Sequence, residues 1–210
     1  MGQIGDLYDH IRVFVTPGRR ARCRRVKNPG IAVDIDWSEK GPSPDQARIE
    51  RALLRFPPRP ADRILHIGVG NSELARKFSS RVERIDGITL AKREKNAART
   101  LGLPNYTVHL LNKYTHELRF LFPNQFDYIV DNNPASFACC TYHLDCLFDN
   151  YFHCLRTGGR VLTDQTGLDW TADGTGAWGL TFNELSDLGF RFQLEAARIT
   201  NTVYELRLQS

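Results

Sequence analysis

No stretch of this sequence approaches the ~20 consecutive apolar residues that a membrane-spanning helix requires, so no membrane partner is expected. Residues Met1 to His10 lack the basic-then-apolar layout of a secretory signal. Cysteine is scarce, and its count of 5 is odd. Four of the cysteines (Cys139, Cys140, Cys146 and Cys154) crowd into one short segment. That is a poor disulfide framework, and it leads to the expectation of a reducing, cytoplasmic setting. Acid is missing between Arg12 and Lys27, where Arg12, Arg19, Arg20, Arg22, Arg24, Arg25 and Lys27 stand without an Asp or Glu. The whole chain has 28 basic against 24 acidic residues. Its net charge of +4 therefore belongs to this arm, and the remainder is mildly acidic. Aromatic residues able to stack on bases are also missing there, Phe14 excepted. The arm is expected to be solvated or to meet an acidic substrate or carrier protein rather than nucleic acid.

What is present is ordinary for a globular protein: 41% hydrophobic and 25% charged residues over 210 positions. This excludes disordered, collagenous and fibrous classes and suits one domain with an added arm. Residues 1–60 do not read as one regular element. Val13 to Val15 and Ile31 to Trp37 suit short strands, set off by the turns Thr16-Pro17-Gly18 and Asn28-Pro29-Gly30. Gly41-Pro42-Ser43-Pro44 precedes a helix over about Asp45 to Phe56, with Ile49, Leu53 and Phe56 at helical spacing. Pro57-Pro58-Arg59-Pro60 ends it.

From residue 61 onward strands and helices alternate. Strands are expected at Arg63 to Gly68, Val82 to Leu90, Tyr106 to Leu111, Phe126 to Val130, Arg160 to Thr163, Phe190 to Ile199 and Thr202 to Leu208. Helices are expected at Asn71 to Ser80, Ala91 to Leu101, Phe137 to Leu155 and Thr181 to Leu188, the last stopped by Gly189 as its C′ residue. Thr157-Gly158-Gly159 reads as the turn into the fifth strand. The alternation predicts an α/β fold with a mostly parallel sheet covered on both faces. The short link at Thr200-Asn201 predicts an antiparallel edge pair, because parallel strands need a longer crossover. The expected division is an N-terminal extension, 1–60, and a domain, 61–210.

The most informative segment is His66-Ile67-Gly68-Val69-Gly70-Asn71-Ser72-Glu73-Leu74-Ala75. A strand ends, two glycines let backbone pass close to a ligand, and a helix begins. In an open parallel sheet the first such crevice holds nucleotide-like ligands. A pyrophosphate fingerprint wants a third glycine where Glu73 stands, and a carboxylate there opposes a diphosphate. The Walker Gly-x4-Gly-Lys-Ser/Thr pattern is absent. An adenosyl ligand without a pyrophosphate remains.

At these residues the sequence resembles the class I S-adenosylmethionine-dependent methyltransferases, over roughly residues 60–210. Leu65 to Ser72 looks like their motif I, and Gly-x-Gly-Asn-Ser-Glu-Leu is similar to the loop of the elongation-factor lysine methyltransferases. Phe126 to Asp131 looks like motif IV, and Leu155-Arg156-Thr157-Gly158-Gly159-Arg160-Val161-Leu162 resembles the Leu-Lys-Pro-Gly-Gly turn before the fifth strand. The resemblance implies a Rossmann-like doubly wound sheet of seven strands and S-adenosylmethionine as cofactor. It implies that Gly68, Val69, Gly70, Asn71 and Ser72 form the loop at the methionine end, with Asp131 closing that end. His66 replaces an acid that holds the methionine ammonium in many members; a neutral imidazole accepts through one nitrogen. Thr89 replaces the usual ribose-binding acid. Gly87-Ile88-Thr89-Leu90 instead resembles the cyclopropane-synthase version of the motif, which implies Thr89, Leu90 and Glu94 at the ribose. Asp86 competes with Glu94, but its odd spacing from Thr89 points it to the other sheet face. Asn112 matches the residue that reads the adenine amine.

Candidates for chemistry lie after the fourth strand. Asn133-Pro134 is similar to the Asn-Pro-Pro-Tyr motif of amino-group methyltransferases, with Ala135 and Ser136 departing from it. The alternative for this run is a loop that shapes the cofactor pocket. Asp131 and His143 are the catalytic candidates, His143 as a general base with a pKa near neutrality; a surface position or helix packing is the alternative for His143. Tyr8 and His10 on the arm are further candidates if the arm closes as a lid. Trp170 would line the acceptor pocket or pack in the core. Cys139, Cys140, His143, Cys146, His153 and Cys154 suggest metal ligands, yet they fall on one helix, and a closed tetrahedral site needs several directions. No metal is expected. The expected function is methyl transfer to oxygen or nitrogen of a small-molecule acceptor, with an anionic or carrier-bound acceptor among the forms considered. A protein or nucleic-acid methyltransferase docking through the arm, and a non-catalytic scaffold, are the alternatives.

Overall fold

The computed structural model describes residues 37–135, 138, 141–172 and 176–209. The strands expected at 13–15 and 31–37, the basic arm, Tyr8, His10, Ser136, Phe137, Cys139, Cys140 and the side chain of Trp170 lie outside them.

The first described helix, α1, is Pro44–Arg55. Five parallel strands follow: β1 (Arg63–Ile67), β2 (Arg84–Thr89), β3 (Tyr106–Leu110), β4 (Phe126–Asp131) and β5 (Leu155–Asp164). Between them run α2 (Glu73–Phe78), α3 (Lys92–Arg99), α4 (Glu117–Leu121) and α5 (Thr141–Cys154). A hairpin of β6 (Asp169–Ala172) and β7 (Gly176–Gly179) precedes α6 (Phe182–Phe190), and β8 (Leu194–Arg198) and β9 (Val203–Leu208) close the sheet. The order across the seven-stranded sheet is β3-β2-β1-β4-β5-β9-β8. β9 is antiparallel to both β5 and β8, which is the expected antiparallel edge.

Side-chain parity along the strands builds two cores. Leu65 and Ile67 of β1, with Ile129 and Val161, face a cluster holding Leu118 of α4, Leu147 and Tyr151 of α5 and Leu185 of α6. Ile64 faces the opposite cluster, with Val130, Leu162, Ile49 and Leu53 of α1, and Leu74 and Phe78 of α2. Alternate residues of a strand point to opposite faces, so one strand serves both layers. Because α1 is buried in that second core, the expected boundary at 60/61 falls after a helix that packs on the sheet.

Several elements differ from expectation. Gly189 does not cap α6; it lies within the helix, where an added Cβ would stand 2.8 Å from Leu194 O. The glycine permits close packing rather than a left-handed turn. Thr157-Gly158-Gly159 lies inside β5, where the pairing with β4 shifts register between Phe126 and Tyr128. Gly158, at φ +76, accommodates that irregularity. Helix α4 and the β6–β7 hairpin were not expected, being too short for a clear periodic signal. The helix expected from 137 is described only from Thr141.

Candidate functional site

The strand order reverses between β1 and β4, and in open α/β sheets the crevice beyond the carboxyl ends at such a point is where ligands bind. A cavity of about 680 Å3 lies there, within the usual size range of ligand pockets. His66, Gly68, Val69, Gly70 and Asn71 line it from the β1–α2 loop, Thr89, Leu90 and Glu94 from β2 and α3, Asn112 from after β3, and Asp131 from the end of β4.

The loop is held by backbone bonds. Gly68 N–H donates to Ile88 O at 2.9 Å, and Ser72 N–H to Val69 O at 2.8 Å. Gly68 (φ +76) and Gly70 (φ +49) adopt the left-handed region that glycine tolerates. Gly87, quoted above only as part of the ribose motif, makes the loop fit: a Cβ there would lie 2.4 Å from Val69 Cγ1. Ser72 departs from expectation. It is itself left-handed (φ 62) and does not line the cavity, because its hydroxyl is hydrogen-bonded to Tyr106 at 2.9 Å. Burial pushes the Tyr106 phenol up to about 12.

At the other end of the loop's crevice, Thr89 Oγ1 donates to Glu94 Oε2 at 2.5 Å and accepts from Ala91 N–H at 3.0 Å. Glu94 Oε1 accepts from the Trp37 N–H at 3.2 Å. Asp86 lies elsewhere, fully buried and paired with Arg84 at 2.7 Å and His109 at 3.0 Å. Asn112 Oδ1 accepts from Tyr114 N–H at 3.0 Å, an Asx turn that fixes the amide orientation. The carbonyl expected to read an amine is thus half committed to its own turn.

Asp131 is the centre of a network the sequence did not reveal. It accepts from Lys113 Nζ at 3.1 and 3.3 Å, from Tyr151 OH at 2.8 Å and from Asn133 N–H at 3.0 Å. Lys113 also donates to Asn133 O, and Tyr114 OH to Pro134 O at 2.7 Å, so two consecutive residues after β3 clamp the loop after β4. Burial holds the Lys113 ammonium below the ordinary lysine value against the pull of Asp131. The Tyr151 phenol stands well above its ordinary value through burial and the adjacent carboxylate. On the far side, Ala135 N–H donates to Gly167 O, and Gly167 packs so closely that a Cβ would fall 1.7 Å from Asn132 O.

α1 forms a further wall through Ser43, Asp45 and Gln46. Arg48 fastens it to the sheet, donating to Asp164 at 2.8 and 2.7 Å and to Thr166 at 3.0 Å. Burial would raise the Asp164 carboxyl, but the bonds from Arg48 and Thr166 outweigh it and hold the group below its ordinary value. Asn132 Nδ2 donates to Asp45 Oδ2 at 2.7 Å.

Further candidates, like Ser72, stand off the cavity. His143 is not on its wall: its ring is buried on α5 and packs against Tyr114, with centroids 5.2 Å apart, and burial lowers its pKa. Helix packing, the alternative held open for it, describes that position. Cys146 and Cys154 are buried and form no disulfide, and Cys154 Sγ donates to Leu118 O at 3.7 Å. Among the described residues no three His, Cys, Asp or Glu side chains are grouped to hold a metal ion.

No protein-family model matches the chain, and no curated protein matches it. Solved structures match through the fold. A putative methyltransferase of Haloferax volcanii, solved with the Trm112 methyltransferase activator, shares 10% identity over 77% of this chain and 88% of its own, with a TM-score of 0.61. The 1,6-didemethyltoxoflavin-N1-methyltransferase of Burkholderia thailandensis, solved with bound 1,6-didemethyltoxoflavin and S-adenosylhomocysteine, shares 15% over 78% and 77%, at 0.58. The [4+2]-cyclase SpnF shares 16% over 94% and 72%, at 0.57. No helix among the described residues is long and apolar enough to cross a membrane. Sheet order, crevice and neighbours agree on the architecture: the chain has the fold of the class I S-adenosylmethionine-dependent methyltransferases.

Proposed function

We propose that the chain is an S-adenosylmethionine-dependent methyltransferase acting on a small-molecule acceptor. The observation that carries the reading is the convergence of Gly68, Gly70, Thr89, Glu94, Asn112 and Asp131 on one cavity at the sheet's switch point. These residues fit the cofactor's chemistry. Glu94 and Thr89 offer oxygen acceptors to vicinal hydroxyls, the two glycines clear space for close backbone approach, and Asn112 has a second carbonyl lone pair for an amine. When bound, the cofactor supplies a methyl group on a sulfonium, a good leaving group.

The chain contributes chiefly alignment. Asp131 has its oxygens engaged by Lys113, Tyr151 and Asn133, and His143 is off the wall. That arrangement supports an acceptor with a lone pair already free at neutral pH, such as a neutral nitrogen. The small-molecule reading is supported by α1, whose Asp45 and Gln46 line the cavity together with Asn132 and Thr166.

A second reading, a polyanionic acceptor, draws on charge placement. Arg51, Arg55, Arg76, Lys92 and Arg99 are exposed on the α1–α2–α3 side, while Glu50 and Glu94 of the same helices are buried. Calorimetric titration with S-adenosylhomocysteine tests the cofactor. Saturable binding is expected, and no heat at millimolar ligand overturns the enzyme reading in favour of a scaffold. Labelled methyl transfer to pooled small amines and phenols, set against RNA and protein fractions, separates the acceptor classes.

A further inference from the structure

We propose that Lys113 is a positioning residue, one that fixes the Asp131 carboxylate and the Asn133 backbone relative to Asn112 and so sets the span between the two ends of the ligand; this rests on the cofactor reading above. β3 and β4 are separated in the sheet by β2 and β1. Their carboxyl ends therefore stand about 14 Å apart at the usual strand spacing. Leu111 N–H still bonds Thr89 O at 3.2 Å, so the chain leaves the sheet only after that residue. Two further residues reach at most about 7 Å. A long side chain has to span the remainder, and Lys113 does so from the position beside Asn112.

The crossing segment is pinned along its length from α5. Asn150, fully buried there, donates to Lys113 O at 2.9 Å and to Thr115 O at 2.8 Å. The next residue, Tyr151, donates to Asp131 Oδ2 at 2.8 Å. Consecutive residues of one helix thus hold the segment after β3 and the carboxylate at the end of β4 in one frame.

Lys113 closes that frame. Its Nζ donates to Asp131 Oδ1 at 3.3 Å, to Asp131 Oδ2 at 3.1 Å and to Asn133 O. These oxygens match the donors of an ammonium one for one, so the group is committed to the protein although the residue lines the cavity. It acts through Asp131 and Asn133 and not on the ligand. Asn133 N–H donates to Asp131 Oδ1 at 3.0 Å, so both backbone groups of Asn133 are fixed. Burying an ammonium carries a desolvation cost that an apolar side chain of the same length avoids. What the ammonium adds in return is direction: it aims a carboxylate and a carbonyl at fixed places. Direction matters here because transfer by alignment loses on the order of 100-fold for a misplacement of about 1 Å.

The test compares S-adenosylhomocysteine, which spans the cavity past its sulfur, with 5′-methylthioadenosine, which ends just beyond it. Both are titrated calorimetrically into the wild type and Lys113→Met, with thermal melts confirming the fold. Lys113→Met should weaken S-adenosylhomocysteine about 10-fold while leaving methylthioadenosine within a factor of about two. Lysine-selective nitrogen NMR on the wild type gives a second readout. The Lys113 signal, identified by its loss in Lys113→Arg, should shift with S-adenosylhomocysteine and stay in place with methylthioadenosine. An unchanged ratio of the two affinities in Lys113→Met overturns the proposal, because a lysine that only supports the fold weakens both ligands alike. If that variant does not melt cooperatively, the spectra decide: a Lys113 signal that moves equally with both ligands, or with neither, overturns it. If the wild type does not bind S-adenosylhomocysteine, the cofactor reading fails and the positioning role with it. If it does, that reading stands whatever Lys113→Met shows.

Discussion

Thr89 Oγ1 lies 2.5 Å from Glu94 Oε2, across the turn from β2 into α3, while the other Glu94 oxygen takes the Trp37 N–H. One buried carboxylate thus joins the strand end, the helix start and the segment entering α1. Glu94→Gln removes the charge while keeping the shape. It should weaken S-adenosylhomocysteine by about 10- to 100-fold, since hydrogen bonds to charged groups contribute about 1.5–3 kcal/mol. Thr89→Ala should weaken it less, by taking away a donor that orients the carboxylate. Isothermal titration distinguishes the two; equal affinities for wild type and Glu94→Gln would remove Glu94 from the ligand site.

His66 makes stability depend on pH. In the unfolded chain the imidazole takes a proton near pH 6.5, whereas burial in the fold delays protonation to about pH 4. Between these values the unfolded chain binds the extra proton, so this contribution is complete above pH 6.5 and is lost as pH falls toward 4. The loss reaches about 3 kcal/mol. Urea unfolding at pH 7 and pH 4.5 should show a smaller drop for His66→Leu than for the wild type. Equal drops would show that the imidazole titrates freely in the fold.

Gly167 fixes the loop after β4. Its missing side chain leaves room for the Asn132 carbonyl, which an added Cβ would approach to 1.7 Å. Gly167→Ala should lower stability by about 3 kcal/mol, because backbone must move on both sides, and should also weaken adenosyl ligand binding through Asn132 and Asn133. Gly158→Ala is the control: its Cβ meets open space, and its positive φ costs about 1–2 kcal/mol. Urea unfolding and ligand titration on both variants check this; unchanged ligand affinity in Gly167→Ala would separate the turn from the site.

Much of the architecture is local in origin and was legible without coordinates. The alternation of apolar strands with amphipathic helices, the glycines after Ile67 and the short link at Thr200-Asn201 predicted the sheet and its antiparallel edge. A helix shorter than two turns, α4, and strands of only four residues, β6 and β7, carried too little pattern to read. Gly189 shows a different limit: a glycine near a helix end suits either a left-handed cap or a close approach, and only the position of Leu194 decides which.

The sequence by itself determined which residues have the chemistry to hold an adenosyl ligand, because their types and their spacing from a strand end are written along one chain. Only the tertiary structure decided which of them face the cavity and who their partners are. Ser72 turns to Tyr106, and His143 packs behind Tyr114. Lys113 reaches Asp131, 18 positions on, and α1 brings Gln46 and Asp45 to the wall beside His66. The physical reason is that burial and pairing arise between segments far apart in sequence. A side chain's charge and hydrogen bonds depend on neighbours that the fold supplies.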